Sequence, residues 1–301
     1  MKKVIALLLS IMLTVSFFSG CSKDNAKKDE KTSAYELSYV YDYAYNNLDG
    51  SIKDAYVSLC EAVVNYQSEL KVNTGIVNNA YDLFNTSFPL SFLVSNFSYL
   101  EDGTGIAIKY AKSETEHKQI VKAFNDKAKE YMDKCFEGTN NKAVYAIRAY
   151  NLTASTVVTE RSVNLNCYDA FVNGRGNENT IFKMFEFLLL QADIPAYHII
   201  ASGVDSAPCY LTLAEIGENY YYFDMFGEKA LTNGEGIKMF GLNYDELSDY
   251  GISEPLTYTQ NTPPNSFDTK FDVCRKAVSW ELNGTALDIM TDEGDSVQIT
   301  L

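Results

Sequence analysis

Thirteen residues, Thr180 to Ala192 (TIFKMFEFLLLQA), constrain the fold more than any other stretch. So apolar a run leaves no continuous polar face, so a helix here must be buried rather than laid on a surface. Asp193-Ile194-Pro195 ends it. Three strands are expected to follow, at Ala196 to Ala201, Cys209 to Ile216 and Tyr220 to Phe226, with Gly217-Glu218-Asn219 as the hairpin turn between the last two. A buried helix followed by an antiparallel sheet is an α+β arrangement.

The upstream half supplies more helices. Asp49 to Leu70 carries Ala55, Leu59, Ala62, Val63 and Tyr66 on one face, and Asn73 to Asn85 reads as a second helix. Tyr35, Tyr39 and Tyr43 are spaced by four and read as the packed face of a helix rather than a sugar platform. Ser91 to Leu100 and Ile106 to Tyr110 read as two strands joined by Glu101-Asp102-Gly103-Thr104-Gly105. Ser113 with Glu116 is a capping box that opens a helix from Glu114 to Phe136, stopped by Glu137-Gly138-Thr139. Lys142 to Leu152 is a further amphipathic helix. In the tail, Thr257 to Pro264 reads as a linker or exposed loop, Cys274 to Leu282 as a short helix and Ser296 to Leu301 as a last strand.

The chain begins with an address. Lys2 and Lys3 precede an apolar run from Val4 to Phe18, shorter than the roughly 20 residues a bilayer span needs. Phe18-Ser19-Gly20-Cys21 resembles a bacterial lipobox, in which the cysteine is acylated after cleavage. Two acyl chains on one residue suffice for stable anchoring. Ser22 to Ser33 (SKDNAKKDEKTS) reads as a flexible tether. The expected plan is therefore a signal peptide at 1–20, lipidated Cys21 and tether at 21–34, a helical or α+β part at 35–153, a core at 154–256 and a tail segment at 257–301. The expected location is the extracytoplasmic face of the cell membrane, held by lipid on Cys21.

Charge narrows the partners. The 301 residues carry 25 basic and 40 acidic side chains, a net of −15. Without residues 1–20, which hold Lys2, Lys3 and no acid, the net is −17. Such a surface repels phosphate backbones, so no nucleic-acid partner is expected. Besides Cys21 there are five cysteines, Cys60, Cys135, Cys167, Cys209 and Cys274, an odd and scattered set that suggests buried thiols rather than a disulfide framework. Cys167 reads as a buried small residue beside Tyr168. The two histidines and scattered cysteines show no metal-ligand spacing, so no metal and no cofactor is expected. Asp288, Asp292, Glu293 and Asp295 lack calcium-loop spacing and read as a solvated loop before the last strand. Gly174-Arg175-Gly176 is a tight turn and not a phosphate loop, having no Lys-Ser/Thr after it.

One segment carries a resemblance. Ala170-Phe171-Val172-Asn173-Gly174-Arg175-Gly176, the helix after it and the exit Ala192-Asp193-Ile194-Pro195 resemble the transglutaminase-like domains of bacterial surface proteins. These domains have a papain-type cysteine-protease core, whose nucleophilic cysteine starts the buried helix. The likeness runs from about Glu36 to Phe226, and Val172 to Gly176 is its specific part. It implies a catalytic Cys, His and Asp. This chain has Glu178 at the cysteine position, Cys209 at the histidine position, counted back from Tyr220-Tyr221-Tyr222-Phe223-Asp224, and Asp224 at the third.

That replacement matters chemically. Acyl transfer by such a triad needs a thiolate, an imidazole that holds and returns the proton, and an acid that orients it. A glutamate at a helix N-terminus is expected to be held as an anion by free backbone N–H groups, which makes it a poor nucleophile and a poor base. A thiol cannot relay a proton between two partners as an imidazole does. His198 reads as a packed or edge-strand histidine and His117 as a solvated one. The reading is a degenerate transglutaminase-like domain, without turnover, that binds or scaffolds a peptide or glycan. The alternatives are a hydrolase using Glu178 and Asp224 as acid and base, residual thiol chemistry at Cys209, and a purely structural envelope protein.

Overall fold

The computed structural model describes residues 37–39, 49–160, 164–257 and 266–301. Within the expected tyrosine-striped helix, only Leu37 to Tyr39 are described, and they are not helical. Tyr39 is nevertheless packed: its ring stands edge-on to Phe88 at 5.1 Å and its hydroxyl donates to Asn125 Oδ1 at 3.1 Å. Helix α1 (Gly50–Val64) starts where Asp49 accepts from Ser51 N, and it buries Ala55, Tyr56, Leu59, Ala62 and Val63. It stops six residues before the expected Leu70, because Tyr66 takes a positive φ of 55° and turns the chain into strand β1 (Glu69–Lys71). Helix α2 (Val77–Ser87) and a 3₁₀ turn at Ser91–Leu93 lead into β2 (Val94–Tyr99) and β3 (Gly105–Tyr110). The three strands form an antiparallel sheet in the order β1-β3-β2.

Helix α3 (Glu114–Phe136) has the expected bounds and the expected capping box. Helix α4 (Lys142–Thr156) starts on the side chain of Asn141 and runs a turn past Leu152. Strand β4 (Val158–Thr159) pairs in parallel with β5 (Arg175–Gly176), which follows a single wide turn at Asp169–Asn173. Gly174 ends that turn at φ 62°, where a side chain is strained. A Cβ on Gly176 would lie 2.8 Å from both Thr180 Oγ1 and Val157 Cγ1, so the turn closes on the next helix only without one.

That helix, α5 (Glu178–Gln191), is the centre of the molecule, and ten of its residues from Thr180 to Leu190 are buried. Phe187 meets Phe124 and Phe171 at 5.4 and 5.5 Å, and Phe185 meets Phe223 at 5.5 Å. Each such side chain contributes about 1.5–3 kcal/mol by leaving water. Strands β6 (Ala196–Ser202), β7 (Pro208–Ile216) and β8 (Asn219–Phe223) follow. The third strand ends at Phe223 rather than Phe226, because Asp224 caps helix α6 (Met225–Thr232). Helix α7 (Tyr244–Leu247) and strand β9 (Ser253–Thr257) complete this region. The antiparallel sheet runs β8-β7-β6-β9. Tyr197, Ile199, Leu211 and Leu213 alternate along β6 and β7 and meet Tyr222, Met239 and Leu242 in a second core.

The tail departs from expectation. A 3₁₀ turn at Asp272–Lys276 replaces the start of the expected helix, and Ala277–Asn283 is strand β10. With β11 (Ala286–Thr291) and β12 (Ser296–Thr300) it makes an antiparallel meander. Asp288 therefore lies on β11, held by Asn283 Nδ2 and Gln298 Nε2, while Asp292 to Asp295 form the turn before β12. The tail packs on the core. Arg275 pairs with Glu246 at 3.1 Å and donates to Phe240 O at 2.8 Å, and Trp280 Nε1 donates to Glu235 O at 3.0 Å. Residues 36–301 form one compact mixed α+β unit. Among the described residues no helix is long and apolar enough to cross a membrane. The expected signal peptide, Cys21, the tether and most of the Thr257 to Pro264 loop lie outside the described residues.

Candidate functional site

Glu178 is the first residue of α5. The N-terminal turn does not hold its carboxylate. Asn177 caps the helix, with its side chain accepting from Thr180 N at 3.0 Å while Thr180 Oγ1 accepts from Asn177 N at 2.9 Å. The Glu178 side chain instead reaches β7, where Oε1 accepts from Tyr210 N at 2.9 Å. Burial pushes this carboxyl above its ordinary value, against the opposing pull of the Tyr210 N–H. The expectation of an anion stabilised by its helix end is corrected: desolvation outweighs the hydrogen bond.

Cys209 is the second residue of β7 and half-buried. Burial pushes its thiol up to about 12, and the charges of Asp224 and Glu178 push the same way. Asp224 is 7% exposed and caps α6, with Oδ1 accepting from Gly227 N at 2.7 Å. Burial raises its carboxyl to about 7, with Gly227 N opposing and the charges of Glu178 and Glu228 adding to the rise. The structure thus brings Glu178, Cys209 and Asp224 within electrostatic reach of one another. No cation is among the groups that shift any of the three.

The histidines lie elsewhere. His198 sits on β6, an interior strand between β7 and β9, so it is packed but not at an edge. Its Nδ1 lies 2.9 Å from Glu186 Oε1, which also accepts from Thr212 Oγ1 at 3.0 Å. Tyr210 separates this cluster from Glu178, its N–H on Glu178 and its ring 5.7 Å from that of His198. His117 is completely buried, not solvated as expected. It opens a helix rich in Lys and Glu, but its own side chain turns inward to Val63 O at 2.6 Å.

All five described cysteines are free; Cys60, Cys135, Cys167 and Cys274 are buried. Burial holds the Cys167 thiol up to about 12, with Lys183 pulling it down and Glu186 pushing it up. Among the described residues no three His, Cys, Asp or Glu side chains are placed to hold a metal ion.

Sequence reasoning missed two buried acids. Glu228 is wholly buried and fully satisfied: it accepts from Tyr150 Oη at 3.0 Å, Thr232 Oγ1 at 2.8 Å and Met239 N at 2.6 Å. Glu228 gave no signal of its own, lying two residues past the expected strand end at Phe226. Glu186 was visible as the one acid in the apolar run that marks α5.

No family model matches the chain, and no curated protein matches it. Among solved structures it is similar to a "Putative Cysteine Protease" from Cytophaga hutchinsonii, at 12% identity over 50% of this chain and 60% of that one, with a TM-score of 0.31. It is also similar to a "Putative Protease" from Parabacteroides distasonis, at 11% identity over 42% of this chain and 30% of that one, with a TM-score of 0.26. The chain spans less than two thirds of either neighbour.

Proposed function

We propose that this chain is a lipid-anchored extracytoplasmic protein whose transglutaminase-like core has lost acyl transfer and binds a peptide or glycan where Glu178, Cys209 and Asp224 meet. One observation carries the reading: Glu178, Cys209 and Asp224 converge with no imidazole among them, and burial pushes the Cys209 thiol up to about 12. Each side chain is committed to something other than proton relay. Glu178 holds the Tyr210 N–H, Asp224 holds the first turn of α6, and Cys209, on β7, packs against the second core. A triad mechanism needs a base that accepts and returns a proton, and none of the three serves. The anchor rests on Lys2, Lys3, the apolar run and Phe18-Ser19-Gly20-Cys21. A Cys21→Ala variant should no longer incorporate labelled palmitate, and persistent labelling would count against the anchor.

Binding is tested with soluble peptidoglycan fragments that carry both glycan and stem peptide. The wild-type chain should retain them and Glu178→Lys should not; equal retention by both would remove this site from the account.

The acid–base hydrolase is favoured by one specific feature, a carboxyl held near 7 beside a second raised carboxyl. A carboxyl that changes charge near neutrality is suited to acid–base work there. That reading requires release of reducing ends from the same fragments by the wild type and its loss in Glu178→Gln.

A further inference from the structure

His117 stands in the first turn of α3, and its ring closes a small aromatic box. Tyr66, just past the end of α1, and Tyr110, at the end of β3, stack at 4.3 Å. Both stand edge-on to the imidazole, at 4.9 and 4.8 Å. The Tyr110 hydroxyl lies 2.7 Å from Gln67 O and 3.1 Å from Ala62 O, which ties β3 to the same corner. The backbone there is strained, with Tyr66 at φ 55°. His117 Nε2 faces a carbonyl oxygen, Val63 O, so that nitrogen carries the proton. Nδ1 is then an acceptor, buried and with no hydrogen-bond partner.

The groups that face the ring are few. From the end of α1 it is Tyr66, and from β3 it is Tyr110. The charged side chains nearest in sequence, Glu61 on α1 and Lys112, Glu114, Glu116 and Lys118 around the start of α3, are exposed. Glu116 is already engaged with Ser113 in the capping box. Among the described residues, no carboxylate bonds Nδ1 to receive a second imidazole proton.

We propose that His117 is an acid-operated catch between the end of α1 and the first turn of α3, and that protonation expels the ring and parts the two. A second N–H would be buried without an acceptor, and a charge would be buried away from water. The position adds to the cost, because the N-terminal turn of a helix disfavours a cation. Only the Val63 carbonyl opposes this. Burial is the larger effect and holds the ring below the ordinary histidine value. The sign follows: the neutral ring is favoured by folding, so its contribution is complete above the unfolded value of about 6.5 and is lost as pH falls below it.

Hydrogen exchange followed by mass spectrometry on the intact chain tests this, comparing wild type with His117→Gln between pH 7.5 and 5. Glutamine keeps a donor for Val63 O and cannot titrate. After correction for intrinsic rates, wild-type peptides spanning 60–70 and 108–120 should exchange faster below about pH 6, by roughly tenfold per pH unit, while α5 stays protected. His117→Gln should show no such step. The same acid step in both proteins overturns the proposal. If the variant fails to fold, the ring signals of the wild type decide, since the chain has only two histidines. His117 titrating near 6.5 with its contacts intact would also overturn it.

Discussion

At the scale of single residues, the molecule is distinguished by two buried acids, Asp224 and Glu228, that are capped or hydrogen-bonded by neutral donors. Asp224 shows what this implies for stability. Its carboxyl is raised to about 7, so folding favours the neutral form. The contribution is complete below the ordinary carboxylate value and is lost as pH rises through about 7. Asp224→Asn keeps a capping side chain and removes the charge. Thermal unfolding across pH should show it level with wild type near pH 4 and more stable near pH 8, by up to about 4 kcal/mol. A variant that loses stability at pH 8 would mean that the carboxylate is compensated where it sits. Glu228 behaves differently, because three donors depend on it. Glu228→Ala leaves Met239 N without its acceptor and Tyr150 Oη with only the Asp224 carbonyl at 3.4 Å, and should cost about 3–5 kcal/mol in a denaturant titration; a cost below about 1 kcal/mol would mean that water replaces the carboxylate. Neither role was legible from spacing. A fully buried carboxylate is indistinguishable in sequence from an exposed one until the donors around it, here from α4 and the loop after α6, are assembled. His117 is the same lesson reversed: its neighbours Glu114, Glu116 and Lys118 mark a solvated helix, and only the contact with Val63, 54 residues away, turns the ring inward.

Elements were legible where local signals are strong. Helix α3 has the bounds its capping box implies, and α5 is the buried helix its apolar run implies. Truncation in α5 should be severe for that reason: Phe182→Ala, at a wholly buried position, should cost about 3–5 kcal/mol in chemical denaturation, and a cost near 1 kcal/mol would show a helix able to repack. Elements were misread where tertiary contacts override local pattern. Ala277 to Asn283 is a strand because β11 offers it a partner, with Trp280 facing Ile289 and Leu282 facing Leu287. Strand β1, at three residues, is too short to carry a period and exists by pairing with β3. The first two residues of α6, Met225 and Phe226, were read as the end of the strand before it, since an aromatic run gives no break until Asp224 acts as a cap.

At the scale of the whole molecule, an α+β arrangement was legible from the buried helix and the strands after it, but the packing of the tail was not. Arg275 and Trp280 dock β10 and the turn before it onto the segment between α6 and α7, which also supplies Met239 N to Glu228. Trp280, the single tryptophan, therefore reports on the join. Its fluorescence transition in denaturant should coincide with that of far-ultraviolet circular dichroism, and an earlier fluorescence transition would mean that the tail unfolds by itself. The proposed function turns on whether the place where Glu178, Cys209 and Asp224 meet holds a nucleophile. Thiol reactivity tests it most directly. The chain is treated with iodoacetamide near pH 6, and adducts are mapped by mass spectrometry against an unfolded control. The account predicts that Cys209 is inert in the folded protein and labelled on unfolding. A rapid adduct on Cys209 in the folded state would reveal a thiolate at that position and contradict it.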